Sequence, residues 1–212
     1  MKFAKHWVAT AVIAMAAAAQ AAPLPFSEGF DNLSAWTLIN YSTDPGSTWF
    51  QGNSGIFASQ AGAANSYAAA SFASANTGAI DNWLISPELT LGGASDLTFW
   101  TRAEVVAGFH DSMEVLFSAG AGTAKAGFAS ILNVGNDPAI DYPALWTKYL
   151  VSLPSAASGR VAFRYYGDSG TSNYIGVDSF GVAAAVPEPS TYALMALGLA
   201  GVSLVRRSRR AD

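Results

Sequence analysis

Residues 160–166 read Arg-Val-Ala-Phe-Arg-Tyr-Tyr and alternate between two sets of side chains. The two sets are Val161, Phe163 and Tyr165 against Ala162, Arg164 and Tyr166. A period of two residues is typical of a β-strand that turns one face to a core and the other outward. This stretch therefore predicts a β-strand, and it sets the pattern that the rest of the domain repeats.

Other short runs with apolar alternation or aromatic and β-branched residues are predicted as strands, with Gly or Pro about every ten to twenty residues between them. These runs are residues 25–30, 36–39, 67–72, 81–85, 97–102, 113–117, 130–134, 146–153 and 174–182. The alanine-rich stretch 61–75 is interrupted by Gly and polar residues, so we expect a strand and a loop there rather than a helix. Asp44, Pro45 and Gly46 have the residue types of a turn.

Many short strands separated by turns favour an all-β fold, and we predict a jelly-roll-like antiparallel β-sandwich. No internal repeat is evident, which argues against a propeller. We expect one domain, residues 22–185, between an N-terminal signal helix and a C-terminal apolar helix.

Charge and cysteine content exclude several classes of function. Residues 22–185 contain five basic and thirteen acidic side chains, a net charge of −8. A domain without a basic patch is an unsuitable partner for nucleic acid. The chain has no cysteine, so neither disulfides nor thiol chemistry contribute.

The chain ends in a three-part segment. A stiff Val-Pro-Glu-Pro sequence comes first, an uncharged apolar run over residues 191–205 follows, and a basic cluster comes last. The predicted motif residues are Val186, Pro187, Glu188 and Pro189, and the membrane-flanking basic residues are Arg206, Arg207, Arg209 and Arg210. The apolar run is about 22 Å long as a helix, and snorkelling arginines would let it span a bilayer with its basic end in the cytoplasm.

This order of parts over residues 186–212 resembles the PEP-CTERM sorting signal of exopolysaccharide-producing Gram-negative bacteria. The resemblance implies an exosortase-type processing enzyme as partner and anchoring in the inner membrane, facing the periplasm, before processing. Residues 1–21 have a charged start, an apolar run and Ala19-Gln20-Ala21, the features of a cleaved signal peptide exported through Sec. The predicted destination is the cell surface or the extracellular matrix.

Several short motifs inside the domain resemble, in order, the choice-of-anchor J domain, a relative of cleaved-adhesin and MAM-type jelly rolls. They begin at Glu28, Asp81, Leu97, Asp111, Val161 and Gly176. The resemblance implies a jelly roll, and relatives often bind calcium. Ca²⁺ takes hard oxygen ligands, and Glu28, Asp31 and Asp178 lie at the first and last strands, which a jelly roll can bring together. We therefore expect these three as candidate ligands of a structural Ca²⁺; the alternative is a turn cap at Asp31 and solvated carboxylates at the other two.

The sequence favours no catalytic site, so no catalytic residue is assigned. Ser169 lies in a Gly-Asp-Ser-Gly sequence, but His110 is the one histidine of the domain and lacks the setting of a serine protease. Asp111 and Glu114 are three residues apart, which puts them on opposite faces of a regular strand and disfavours a glycoside hydrolase.

Binding is the better-supported activity. Five tryptophans lie in the domain, and alternation puts Trp100 on one face with Arg102, opposite Leu97 and Phe99. An exposed indole can stack on a sugar ring, so Trp100 and Arg102 are the candidate ligand-binding pair; the alternative is that Trp100 is buried in a second core layer. Trp83 is expected to anchor the core.

Three functions follow from these observations. The first is a non-catalytic adhesion or matrix-association domain, the second a carbohydrate-binding lectin-like module that contacts extracellular polysaccharide, and the third a glycoside hydrolase.

Overall fold

The strand predicted at residues 160–166 belongs to the longest strand of the molecule, Thr147–Asp168. The computed structural model describes residues 21–136 and 141–186. Within them the β-strands are β1 Ala22–Pro23, β2 Phe26–Glu28, β3 Thr37–Asn40, β4 Asp44–Pro45, β5 Phe50–Gln51, β6 Ala68–Ser71, β7 Ala75–Thr77, β8 Ala79–Ile85, β9 Leu89–Ala103, β10 Ser112–Ala119, β11 Ala129–Val134, β12 Thr147–Asp168 and β13 Tyr174–Ala184. Two 3₁₀ turns, Phe72–Ser74 and Lys125–Gly127, complete the set.

Eleven of these strands form one curled sheet, which folds into two layers. In the first layer the amino-terminal half of β12 pairs with β9, β9 with β13, and β13 with β2 and β6. In the second layer the order is β3, β8, the carboxy-terminal half of β12, β10 and β11. All these pairings are antiparallel, which gives the predicted jelly-roll-like sandwich.

The two long strands carry the sheet from one layer to the other. In β9, Gly92 and Gly93 have φ of 68° and 143°, a backbone region that side chains other than glycine rarely adopt. In β12, the pairing with β9 is irregular between Leu153 and Ser158. Because both strands bend at the same level, their two halves lie on opposite sides of one core.

Aromatic rings fill the space between the layers. Phe99 of the first layer meets Phe163 of the second at a centroid distance of 5.1 Å. Phe180 lies 6.0 Å from Phe163 and 5.1 Å from Trp36, edge to face in both cases. All four side chains are 5% exposed or less, so these contacts join the layers into a single core.

The alternation of apolar and polar residues predicts correctly which side chains of β9 face the core. Leu97 and Phe99 are fully buried in the core, whereas Trp100 and Arg102 lie half-buried on the other face. The alanine-rich stretch is a loop, the short strand β6 and a 3₁₀ turn, as expected. The prediction of a turn at Asp44–Pro45 is wrong, because these residues form β4 and pair with β7.

Both predicted terminal segments lie outside the described residues. These are the signal helix and the apolar helix with its basic tail, and of the Val-Pro-Glu-Pro motif the structure describes Val186 alone, which is exposed. Among the described residues, no helix has the length and apolar character needed to cross a membrane.

Candidate functional site

Asp178 is the most tightly held carboxylate of the first layer. It lies in β13, is fully buried, and faces Trp100 of the neighbouring strand. Its Oδ2 accepts hydrogen bonds from the N–H groups of Gln60 (2.7 Å) and Ala61 (3.1 Å), and its Oδ1 accepts one from the N–H of Ser179 (2.5 Å). Burial raises the pKa of Asp178, and the three N–H groups act in the opposite direction.

A bulge in β13 orients the Asp178 carboxylate toward residues 60 and 61. Ser179 has φ of 49°, a left-handed conformation that a non-glycine residue adopts at a cost, and the register with β9 shifts between Asp178 and Gly181. The Ser179 hydroxyl donates to Oε1 of Gln60 at 2.6 Å. The bulge and the loop over residues 59–66 are therefore fastened together by Asp178 and Ser179.

Glu28 and Asp31 meet the same region from the start of the fold. Glu28 pairs with Phe180 in the β2–β13 ladder, and its Oε1 accepts from the N–H of Phe30 at 2.8 Å. Asp31 Oδ1 accepts from the hydroxyl of Ser66, at the end of the 59–66 loop, at 2.6 Å. The expected proximity of the first and last strands is confirmed. Asp31 and Asp178 hydrogen-bond to the same loop, and Glu28 lies on the strand paired with β13. We call these three carboxylates the carboxylate node.

The oxygen atoms of the node determine whether it can hold a cation. Over residues 21–136 and 141–186, no group of three or more His, Asp or Glu side chains is arranged to hold a metal ion. Asp178 turns both carboxylate oxygens to N–H groups, which already compensate its charge. A hard cation at the node would thus depend mainly on Glu28, Asp31 and backbone carbonyls.

Trp100 and Arg102 lie side by side on the outer face of β9, as the alternation predicts. Both are half-buried rather than exposed. The register places Lys148 of β12 on one side of Trp100 and Asp178 of β13 on the other. The indole therefore lies in a row of charged side chains, between an exposed ammonium group and the carboxylate node.

Arg102 is part of an aromatic cluster. Its guanidinium carbon lies 4.2 Å from the centroid of the Phe57 ring, and its Nε is buried with no hydrogen-bond partner. Phe57 stacks on Tyr67 and meets Trp146 edge to face at 5.6 Å. Residues 52–66 thus fold over one end of this face and hold Arg102 against it.

The remaining tryptophans are core or cover residues. Trp36 and Trp49 are buried in the main core. Trp83 is buried as expected, but it lies on the outer face of β8, in a separate small cluster with Ile85, Leu116 and Ala162. Trp146 donates from Nε1 to the carbonyl of Ala58 at 2.9 Å and fixes the 52–66 loop.

An ionic cluster over Trp83 was not anticipated from the sequence. Asp81 accepts hydrogen bonds from Lys125, from Arg164 Nε (2.6 Å) and from Trp83 Nε1 (2.7 Å). Arg164 also pairs with Glu114 at 3.0 Å. Desolvation acts to raise the pKa of Asp81, but the three donors outweigh it and lower the pKa. The alternation of β8, β10 and β12 was the available signal, since it puts these charges on one outer face.

The residues considered for catalysis do not converge on a reactive arrangement. Asp111 is 5% exposed, and its Oδ1 accepts from the hydroxyl of Tyr165 at 2.5 Å. Burial raises the pKa of Asp111. Glu114 lies on the opposite face of the sheet with Arg164, so the two acids do not share a groove. The stretch around Ser169 is the connection between β12 and β13, as the sequence suggests.

Comparisons with known proteins agree with this architecture. Residues 24–182 match the Cleaved Adhesin Domain family, and residues 185–210 match the PEP-CTERM protein-sorting motif. No curated protein matches the chain.

Solved structures share the fold. The K3 and K1 cleaved adhesin domains of Lys-gingipain from Porphyromonas gingivalis W83 are 26% and 24% identical, and each superposes with a TM-score of 0.60 over 76% of this chain and 98% of the other. TmCBM61, solved in complex with β-1,4-galactotriose, is 12% identical with a TM-score of 0.50 over 74% of this chain and 94% of its own.

Proposed function

Because the chain belongs to the Cleaved Adhesin Domain family, we propose that it is a non-catalytic adhesion module retained at the cell surface or in the extracellular polysaccharide matrix. The observation that carries the proposal is the pairing of two matches on one chain, the adhesin domain over residues 24–182 and the sorting motif over residues 185–210. The sorting motif indicates an exported, surface-associated protein that exosortase-type machinery processes.

The chemistry of the described residues supports a binding role over a catalytic one. Asp178, Asp111 and Asp81 each have their oxygens committed to hydrogen bonds within the domain. Catalytic acids and bases need a proton-transfer partner in reach, and these carboxylates instead hold loops and strands together. The rigid sandwich that results suits a module that presents a surface.

The test is retention of the full chain in its producing bacterium. A tag inserted at Gly122, an open loop position, would follow the protein through cell, matrix and medium fractions. We expect the tagged protein in the matrix fraction and its release by enzymes that digest the polysaccharide. Equal amounts in the medium of a polysaccharide-producing strain and a polysaccharide-deficient strain would contradict the proposal.

A carbohydrate-binding lectin-like module is the second candidate. Trp100 and Arg102 support it, because they put an indole and a guanidinium side by side on one outer face with Lys148 beside them. TmCBM61, which shares the fold, was solved with a galactotriose. Trp100→Ala should weaken retention of the protein on a polysaccharide gel, and an unchanged retention would remove this face as the binding site.

We also propose that the carboxylate node binds a structural Ca²⁺ through Glu28 and Asp31, with Asp178 holding the surrounding loop. The support is that Asp31 and Asp178 both hydrogen-bond to residues 59–66, while the pairing of β2 with β13 brings Glu28 to the same end of these strands. Bound Ca²⁺ should raise the unfolding midpoint by mass action, and a chelator should reverse the rise. A midpoint that Ca²⁺ and chelator leave unchanged would reject the site.

A further inference from the structure

The end of the sandwich opposite the bends of β9 and β12 carries a cavity of about 370 Å³. The connection between β9 and β10 forms one wall, and the other wall consists of Gly135, Asn136, Asp141 and Tyr142. Small-molecule sites in proteins begin at about this volume. The cavity shares no residue with the carboxylate node or with the Trp100 face.

Apolar side chains are exposed at this cavity. Val105, Val106 and Phe109 are 66%, 39% and 42% exposed, and all three line it. An exposed phenyl ring beside two aliphatic side chains costs solvation free energy in a water-facing loop unless a ligand covers it. The Phe109 ring offers a flat apolar surface of the kind that sugar C–H groups stack against.

Polar groups surround the apolar side chains. Glu104, Asp141 and Asn136 line the cavity together with His110, whose Nδ1 lies 3.4 Å from Asp141 Oδ1. Carboxylate and amide oxygens accept hydrogen bonds from hydroxyl groups, and the amide and imidazole can also donate them. The lining thus has the few convergent polar groups that orient a small ligand in a largely apolar pocket.

The charge of the lining restricts the ligand. Among the described residues, no Lys or Arg lines the cavity, whereas Glu104, Asp111 and Asp141 do. A pocket without a basic side chain other than a histidine repels carboxylates, sulfates and phosphates. Uncharged, hydroxyl-rich ligands satisfy both the apolar and the hydrogen-bonding side chains.

The walls of the cavity are held in place before any ligand arrives. The N–H of Asn173 donates to Asp111 Oδ1 at 2.9 Å, and Asn173 Nδ2 donates to the carbonyl of Glu104 at 2.9 Å. The hydroxyls of Tyr142 and Thr101 are 2.5 Å apart beneath it. A pre-formed wall lowers the ordering cost of binding.

Gly135 is required for the second wall. Its φ is 72°, and a Cβ there would lie 2.3 Å from the carbonyl oxygen of Asp111 and 2.8 Å from Cδ2 of Tyr142. Gly135 therefore lets the backbone pass close to Asp111 and Tyr142, and all three residues line the cavity.

From these observations we infer that the cavity is a binding site for a neutral sugar unit of a polysaccharide, with Phe109 as the stacking platform and Glu104, Asn136 and Asp141 as hydrogen-bonding partners. This inference goes beyond retention at the surface, which does not require a defined sugar pocket, and it names a site other than the Trp100 face.

The test is affinity electrophoresis of the full chain in gels that contain a neutral polysaccharide. A panel of galactan, dextran, mannan and xylan is compared with polygalacturonate, whose units have the ring configuration of galactose but carry a carboxylate at C6. We expect retardation by at least one neutral polymer and none by polygalacturonate. Phe109→Ala should weaken the retardation about tenfold, and Glu104→Gln should weaken it less.

Phe72→Ala is the matched control, because it removes an exposed phenyl ring (52% exposed) that lines neither the cavity nor the outer face with Trp100. It should leave the retardation unchanged, and circular dichroism should show that all variants remain folded. The inference is overturned if no neutral polymer retards the protein, if polygalacturonate binds as well, or if Trp100→Ala abolishes binding while Phe109→Ala has no effect. Unchanged gel retardation of Phe109→Ala, together with matrix retention that survives the substitution, would overturn this site and leave the adhesion proposal intact.

Discussion

The guanidinium carbon of Arg102 lies 4.2 Å above the centre of the Phe57 ring. This contact joins the outer face of β9 to the loop that covers it, so Arg102 holds the loop in addition to any part it has in binding a ligand. Stacked and half-buried, the side chain contributes both a cation–π interaction and the packing of its aliphatic stem.

Arg102→Ala should lower the free energy of unfolding by roughly 1–2 kcal/mol, because both of these contributions are lost. Urea denaturation followed by tryptophan fluorescence measures the change. Lys148→Ala removes an exposed cation from the adjacent strand and should change stability by less than about 0.5 kcal/mol. Equal effects of the two substitutions would show that the stacking contributes nothing.

The part of this arrangement that sequence predicts is local. A period of two residues puts Trp100 and Arg102 on one face and Phe99 on the other because successive side chains of any strand point to opposite sides. That Phe57 would cover Arg102 depends on the path of residues 52–66, which has no periodicity. The place of Trp83 outside the main core depends on which face of β8 the 3₁₀ turn Lys125–Gly127 covers.

The geometry of the carboxylate node is likewise predictable from the sequence only in part. The pairing of the first and last strands follows from the jelly roll that the ordered motifs resemble, and it brings Glu28 beside Phe180. The hydrogen bonds that occupy Asp178 could not be predicted, since they come from backbone N–H groups of a loop more than a hundred residues away along the chain.

Asp178→Ala should destabilise the domain by about 3 kcal/mol, because it removes the buried acceptor that the N–H groups of Gln60, Ala61 and Ser179 share. Thermal unfolding in chelator isolates this effect from any bound ion. Asp31→Ala is the comparison, since its exposed carboxylate accepts one hydrogen bond, from the hydroxyl of Ser66, and its loss should cost less in chelator. A smaller loss for Asp178→Ala than for Asp31→Ala would contradict this assignment.

The Asp81 cluster predicts a dependence of stability on pH. The pKa of Asp81 is lowered below its ordinary value of 3.8 in the folded state, so its contribution is fully present above that value and is lost as pH falls through the lowered pKa. Asp81→Asn should therefore be less stable than the parent at about pH 7 and approach it at about pH 2–3.

Urea midpoints across this range measure the Asp81 effect. Thr147→Ala, a change at an exposed side chain that does not titrate, should differ from the parent by the same amount at every pH. The raised pKa values of Asp111 and Asp178 act in the opposite sense, because each costs stability as pH rises through it. Both variants retain these two groups, so a constant gap between Asp81→Asn and the parent would refute the prediction.

Gly176 lies beneath the aromatic cluster. A Cβ at this position would come within 2.9–3.0 Å of ring atoms of Tyr67, Phe57 and Trp146. Gly176→Ala should therefore destabilise the domain by about 1–3 kcal/mol through overpacking. Gly122→Ala is the control, because nothing lies within 4 Å of the added Cβ, and its effect should be within about 0.5 kcal/mol. A neutral Gly176→Ala would mean that the rings move aside freely.

We propose above all that the sorting motif delivers an adhesin-type β-sandwich to the outside of the cell. The most direct measurement compares the location of the full chain with that of a chain lacking residues 186–212, both tagged at residue 122 in the same bacterium. We expect the full chain to be processed and retained at the surface or in the matrix, and the shortened chain to be exported but released to the medium. Equal surface retention of both chains, or an unprocessed full chain in the cytoplasm, would contradict it.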